Sequence, residues 1–183
     1  MQTNRVVARS GSTVSLLVLA IACGALAGAV AAKWIGLRYN DSPSMPVGLY
    51  VRTLSQSKAT LVVFCPEAPF ANLSASRGYR SRGTCPDGAE PLAKPIAALP
   101  GDTVELSAHG IAVNGRLLPN TAPLAGDSAG RPLSHWPFGK YVVAAGTVWV
   151  ASSYNPRSFD SRYFGPVKAS QVRERVRALL TSN

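Results

Sequence analysis

A long apolar run near the N-terminus constrains this chain more than any other feature. Residues 10–32 contain no charged residue and no proline. As an α-helix they would span roughly 34 Å, which is enough to cross the hydrocarbon core of a bilayer. A cleaved signal peptide is the alternative, because Ala29-Val30-Ala31 resembles a cleavage site. The run is longer than a usual signal-peptide core, which favours a retained anchor, and both interpretations export the rest of the chain.

The charges beside the run give a weak indication of its orientation. Arg5 and Arg9 precede it, and Lys33 and Arg38 follow it. A short basic head before a first apolar segment favours an inside tail and an exported domain. We therefore predict a cytoplasmic tail at 1–9, a transmembrane anchor at 10–32 and a periplasmic domain at 33–183 in a bacterial inner membrane.

The chain is basic, with 19 Lys and Arg against 9 Asp and Glu. The charges are scattered, and no basic stripe with interleaved aromatic residues indicates nucleic-acid binding. A mildly basic exported domain suits an anionic bilayer surface. We therefore expect a lipid bilayer as a partner and no nucleic acid.

The cysteines agree with an oxidising compartment. Cys23 lies within the apolar run, whereas Cys65 and Cys85 bracket a polar loop. A zinc site would need more ligands than two cysteines with no nearby histidine, so a Cys65–Cys85 disulfide is favoured.

The exported part is predicted to be mostly β, with short antiparallel strands, long loops and one short C-terminal helix. Asn114-Gly115 within 111–118 indicates a hairpin with a type I′ turn. Residues 170–180 show helical spacing, because Val172, Val176 and Leu180 would share a face. The other predicted strands are 48–53, 61–64, 103–106, 141–144 and 147–151, and the predicted loops are 66–88 and 119–137.

A turn directly after the apolar run carries a candidate nucleophile. Ser44 lies between Pro43 and Pro46, which leave the backbone little freedom. A hydroxyl held in this way can act as a nucleophile if another residue supplies a base. The alternative is an ordinary proline-rich turn in which serine serves turn formation.

Lys94 is the candidate base. It precedes Pro95 and an apolar run at 96–99, a setting that can bury its amine and lower its pKa. Alternatively, its stem packs while its charged end reaches water. None of the other possible bases in the exported part has a comparable setting. They are Lys58, Lys140, Lys168, His109 and His135.

A third polar segment follows at 154–166. Ser158 and Asp160 are two residues apart, so an extended backbone would point both side chains to one side, where they can orient an amine. Arg162 can pair with Asp160. The alternative is a polar turn with a surface ion pair of little energetic value.

These segments resemble the ordered boxes of type I signal peptidases. Ser42-Pro43-Ser44-Met45-Pro46 is followed by Lys94 with Leu99-Pro100-Gly101-Asp102, and then by residues 158–165, Ser-Phe-Asp-Ser-Arg-Tyr-Phe-Gly. The order, the spacing and the preceding anchor all match, and the resemblance covers essentially the whole exported chain.

The resemblance implies a serine/lysine peptidase with a signal-peptidase-like β fold and no metal or other cofactor. Ser44 matches the nucleophile and Lys94 the general base. The Ser44 N–H and the Ser42 hydroxyl match the oxyanion hole. Ser158 and Asp160 match residues that support the lysine, with Arg162 pairing Asp160.

The details are closest to the conjugative-transfer, TraF-type branch, whose implied substrate is a pilin precursor. Housekeeping enzymes carry Gly-Asp-Asn-Arg where this chain has Ser152-Ser153-Tyr154-Asn155, and Pro95 replaces a usual basic residue. The branch implies pilin maturation, with cyclisation through the acyl-enzyme as an open outcome, and conjugative type IV secretion components as further partners. The alternatives are a general signal peptidase I and a non-catalytic periplasmic assembly module.

Overall fold

The computed structural model describes residues 8–55, 57 and 60–182, with side chains described from Thr13 onward. Residues 1–7 of the predicted tail at 1–9, and Lys58, lie outside the described residues. The chain divides into two units, Met1–Leu37 and Arg38–Asn183.

The first unit contains one long helix, α1, at Ala8–Trp34. Its alanine- and leucine-rich sequence favours helix, and the segment Thr13–Trp34 is long and apolar enough to cross a membrane, a criterion that a signal sequence also meets. The helix ends in a Schellman motif at Gly36, whose φ is +66°. The Gly36 N–H donates to the Lys33 carbonyl and the Leu37 N–H donates to the Ala32 carbonyl.

The second unit consists of two antiparallel sheets, which confirms the predicted mostly-β antiparallel fold. The larger sheet has the strand order β1-β2-β11-β3-β4-β9-β10 and the smaller one β7-β6-β5-β8. The strands are β1 Arg38–Asn40, β2 Gly48–Arg52, β3 Leu61–Phe64, β4 Leu92–Ala98, β5 Thr103–Ser107, β6 Gly110–Val113, β7 Arg116–Leu117, β8 Gly139–Val142, β9 Thr147–Val150, β10 Val167–Lys168 and β11 Val172–Thr181. Two short helices, α2 Phe70–Ser76 and α3 Ser161–Phe164, and a 3₁₀ turn at Ala169–Gln171 complete the unit.

Two main apolar clusters hold these sheets together. One joins strand residues such as Val62 and Phe64 to the aromatic residues Phe159, Tyr163 and Phe164 of the late polar segment. The other surrounds Trp149 and fills the smaller sheet. Burial of these side chains fixes the late polar segment against the sheet, since each large apolar side chain contributes about 1.5–3 kcal/mol.

The predicted C-terminal helix is wrong. Strand β11 replaces it and lies between β2 and β3, where Arg177 pairs with Val51 and Arg175 pairs with Val62. The same residues alternate with a period of two, because arginines occupy 173, 175 and 177. Pairing on both sides satisfies the strand backbone, so tertiary contacts select this period over the helical one.

The predicted hairpin is confirmed. Strands β6 and β7 pair antiparallel, and the connecting Asn114 and Gly115 have φ values of +50° and +82°. Positive φ at both residues is the requirement of a type I′ turn.

The segment 66–88, predicted as a loop, also contains helix α2. The structure joins Cys65 and Cys85 in a disulfide across 20 positions. Arg80 is buried within the loop, where it donates to the Ser74 hydroxyl and the Ala71 carbonyl and forms an ion pair with Asp87. The interior of this segment is thus polar but hydrogen-bonded, an arrangement that sequence periodicity does not reveal.

Candidate active site

The turn between β1 and β2 presents Ser44. Asn40 organises it, since its Nδ2 donates to the carbonyls of Ser42 and Pro46 at 3.0 and 3.2 Å. Its Oδ1 accepts the Ser42 N–H at 3.2 Å. The Tyr50 hydroxyl donates to the same Pro46 carbonyl at 2.7 Å. Side chains from both strands therefore restrain the turn, in addition to its two prolines.

Gly48 lets the last strand pass beside this turn. Its φ is +148°, and a Cβ there would collide with the Leu180 carbonyl oxygen and lie 2.7 Å from the Thr181 Cα. The turn and the C-terminal strand are thus packed backbone against backbone.

Ser44 is buried, and both of its main-chain polar groups have partners. Its N–H donates to the Ser42 hydroxyl over 3.4 Å. Its carbonyl accepts a hydrogen bond from the Ser152 hydroxyl. The backbone orientation of Ser44 is therefore fixed on either side of the side chain.

Lys94 lies on β4, and its side chain is also buried, with the residue 5 % exposed. Burial lowers the pKa of its ammonium from 10.5 to about 8. The nearby Asp160 carboxylate opposes this shift and the Arg162 guanidinium adds to it. The lysine can therefore be neutral within the normal pH range of an enzyme.

Asp160 and Arg162 form a buried ion pair. Arg162 Nε donates to Asp160 Oδ1 at 2.8 Å and its Nη2 donates to Oδ2 at 2.9 Å. Neither side chain is exposed. The same guanidinium donates to the carbonyls of Asn120, Pro156 and Ser158. This pair holds the late polar segment in one conformation.

Ser158 is buried and its hydroxyl has no hydrogen-bond partner among the described residues. An unpaired buried hydroxyl costs roughly 1–3 kcal/mol. Such a group is expected where it serves a ligand or a proton transfer.

A groove of about 1040 Å³ brings the first two motifs together. Ser42, Ser44 and Lys94 line it, alongside Phe159 and Tyr163 of the third segment. Ser158, Asp160 and Arg162 do not line it and lie buried instead. The structure thus places a serine hydroxyl and a buried lysine amine along one groove, with the Asp160 charge acting on the amine from the protein interior.

The other candidate bases lie elsewhere. Lys140 and Lys168 are exposed and pair with Glu105 and Glu67, respectively. His109 and His135 are exposed, and neither lines the groove. Of the candidate bases that the structure describes, Lys94 is the one that shares a cavity with Ser44.

Sequence reasoning did not assign three residues that contact the site. Asn40 and Tyr50 restrain the turn, and Ser152 reaches the Ser44 carbonyl. Asn40 lies inside the turn-prone segment, where an asparagine side chain commonly hydrogen-bonds the backbone two residues further on. The sequence could therefore have indicated that Asn40 restrains the turn. The contact of Ser152 joins residues 108 positions apart and follows only from the fold.

Comparison with known proteins identifies the class. The model of the family described as signal peptidase, peptidase S26, matches residues 9–181. The chain therefore belongs to the signal peptidase S26 family, which confirms the resemblance seen in its sequence.

Individual relatives show which members of this family the chain is similar to. The chain is 35 % identical to a plasmid transfer protein TraF of Escherichia coli over 176 residues, covering 91 % of this chain and 99 % of the relative. It is 36 % identical to a probable conjugal transfer protein TraF of Sinorhizobium fredii over 171 residues, 91 % of this chain and 89 % of the relative. A conjugal transfer protein TraF of Agrobacterium tumefaciens is 38 % identical over 151 residues, 80 % of this chain and 83 % of that one.

Among solved structures, a signal peptidase I from Enterococcus faecalis matches with a TM-score of 0.36 and 24 % identity. The match covers 66 % of this chain and 95 % of that chain.

Proposed function

We propose that this chain is a membrane-anchored serine endopeptidase in which Ser44 is the nucleophile and Lys94 the general base. One observation carries the proposal: a buried lysine with a pKa of about 8 lines the same groove as a serine held in a restrained turn. Membership of the signal peptidase family supports it independently.

Each half of the reaction uses one proton transfer to Lys94 and one proton transfer from it. The neutral Lys94 amine takes the Ser44 hydroxyl proton as the oxygen attacks the scissile carbonyl. The resulting lysine ammonium then protonates the leaving amine as the peptide bond breaks and the acyl-enzyme forms. Water, or a second amine, then attacks the acyl-enzyme and gives a proton to the neutral Lys94 amine, which delivers that proton to the Ser44 oxygen as the acyl bond breaks.

The oxyanion donors proposed are the Ser44 N–H and the Ser42 hydroxyl. In the structure the N–H donates to that hydroxyl over a long 3.4 Å. An arriving carbonyl oxygen can replace the hydroxyl oxygen as acceptor, and the hydroxyl then turns to donate. Two donors aimed at the developing negative charge would be worth several kcal/mol in the transition state.

Ser158 and Asp160 support the lysine in this proposal. The unpaired buried Ser158 hydroxyl is available to the amine, and the Asp160 charge keeps the amine from losing basicity altogether. Arg162 fixes Asp160 through the two hydrogen bonds described above.

The proposed substrate is the precursor of a conjugative pilin. The three relatives carry the names of plasmid or conjugal transfer proteins. The residues 10–32 would anchor the chain in the inner membrane, with the domain 33–183 in the periplasm. Anchoring an enzyme beside a membrane-inserted substrate raises the effective concentration of one for the other.

Mass spectrometry of the pilin produced beside the wild type, Ser44→Ala and Lys94→Met chains tests the proposal. We expect mature pilin with the wild type and only precursor with both variants. Ser55→Ala and Lys140→Met, which alter exposed side chains, are the matched controls and should mature the pilin normally.

The product masses, a cleavage assay and pilus production separate the alternative functions. A linear and a cyclic product differ by the mass of one water. Cleavage of unrelated preproteins by the purified chain would favour a general signal peptidase I. Normal pilus production by both site variants would favour a non-catalytic assembly module and refute the peptidase.

A further inference from the structure

Ser152 connects the nucleophile turn to the buried carboxylate. It lies two residues after the end of strand β9, and its side chain is fully buried. Its hydroxyl donates to the Ser44 carbonyl. Its N–H donates to Asp160 Oδ2 at 3.1 Å. One residue thus touches both the turn that carries the nucleophile and the charge that acts on the base.

The hydroxyl must be the donor in this bond because a carbonyl oxygen only accepts, and a second contact uses the hydroxyl oxygen as an acceptor. The Tyr154 N–H donates to Ser152 Oγ at 3.2 Å, so the oxygen acts as an acceptor there and its own proton is directed to Ser44. The Asn120 side chain donates to the Ser153 carbonyl at 2.8 Å, which restrains the same stretch.

The carboxylate end of this connection is rigid. Asp160 receives two hydrogen bonds from the Arg162 guanidinium, and it also caps α3 by accepting the Arg162 N–H. A continuous series of hydrogen bonds therefore runs from Arg162 through Asp160 and Ser152 to the carbonyl of Ser44.

We propose that Ser152 is a positioning residue that fixes the Ser44 turn relative to the buried Asp160 carboxylate, and thereby relative to Lys94. This inference rests on the proposed function. The hydroxyl matters because Ser44 contributes both a side chain and an N–H to the reaction, and rotation of its carbonyl would misdirect both.

Removal of the hydroxyl should slow the chemical step more than binding. A misplacement of about 1 Å at a reacting group can cost on the order of 100-fold in rate. For Ser152→Ala and Ser152→Gly we expect kcat to fall roughly 10- to 100-fold, while KM changes less than about twofold, because the substrate groove keeps its lining. Ser152→Thr retains a hydroxyl and should recover most of the rate.

The experiment measures kcat and KM of the detergent-solubilised full chain on a pilin precursor, together with the thermal midpoint of each variant. Ser153→Ala is the matched control, because only the backbone carbonyl of Ser153 is used. Wild-type rates in folded Ser152→Ala and Ser152→Gly, or a change confined to KM, would overturn the inference.

The threonine variant adds a methyl group to a buried site, so its thermal midpoint is read first. A folded Ser152→Thr that is as slow as Ser152→Ala would also overturn the inference. If it does not fold, the alanine and glycine variants decide the question. Failure of the proposed function looks different, because wild type and Ser44→Ala would then be equally inactive on the precursor.

Discussion

The Asp160 carboxylate raises the pKa of the Lys94 ammonium, against the larger lowering effect of burial. The balance leaves the lysine with a pKa of about 8, so that a part of it is neutral and can accept a proton near neutral pH, while the ammonium formed is acidic enough to give the proton up. This opposition between burial and charge makes the basicity of the Lys94 amine depend on one buried carboxylate.

The activity should therefore depend on pH in a defined direction. In the proposed mechanism Lys94 must lose its proton to act, so kcat/KM should rise about tenfold per pH unit below the pKa and level off above about 8. Precursor cleavage measured from pH 5 to 10 gives the midpoint. A rate that is flat across this range would exclude Lys94 as the base.

Removal of the Asp160 charge should move that midpoint to lower pH. The carboxylate favours the protonated amine, so Asp160→Asn takes away the one raising effect and leaves burial and Arg162 to lower the pKa further. Glu105→Gln, which neutralises an exposed carboxylate on β5, is the control and should leave the midpoint in place. A midpoint that rises in Asp160→Asn contradicts the assignment.

Loss of Arg162 should destabilise the domain strongly. Arg162→Met would leave the Asp160 carboxylate buried without its partner. It would also remove the guanidinium donor from four backbone carbonyls, those of Asn120, Ala122, Pro156 and Ser158. Breaking a buried ion pair in this way costs about 3–5 kcal/mol. Urea unfolding of this variant measures the cost. Arg157→Met, which changes an exposed arginine, is the control. Equal unfolding midpoints in the two variants would show that the ion pair contributes little to stability.

Gly48 should tolerate no side chain. Gly48→Ala introduces a Cβ that collides with the backbone at Leu180, and it forces a positive φ on a non-glycine residue. We expect the free energy of unfolding to fall by about 3 kcal/mol or more. Gly130→Ala is the control, because its φ is +74° but nothing lies within 4 Å of the added atom. That variant should lose only about 1–2 kcal/mol. Similar losses in both would mean that the contact with β11 relaxes easily.

The sequence predicted the parts of this protein that depend on local chemistry. The Asn114-Gly115 turn followed from its backbone requirement. The prolines beside Ser44 and the apolar run beside Lys94 marked both residues only as candidates, which the resemblance to signal peptidases then selected, and the structure places both along one groove. The helix predicted at 170–180 was wrong because the arginines and valines there fit both the period of two of a strand and the period of 3.6 of a helix. Only pairing with β2 and β3 decides between the two. The role of Ser152 depends on a contact made through folding and has no local signature.

The Cys65–Cys85 disulfide should stabilise both the domain and the groove. It closes a segment of 20 positions, for which loss of chain entropy in the unfolded state predicts about 3 kcal/mol. The closed segment supplies Arg82 and Thr84 to the groove lining, so the double change of Cys65 and Cys85 to alanine should also weaken substrate binding and raise KM. Urea unfolding and precursor kinetics of this variant measure the two effects.

Cys23→Ala, which changes the free cysteine of α1, is the control and should alter neither the unfolding midpoint nor KM. Recovery of both thiols free from exported protein, or an unchanged unfolding midpoint in the double variant, would rule out a stabilising bridge.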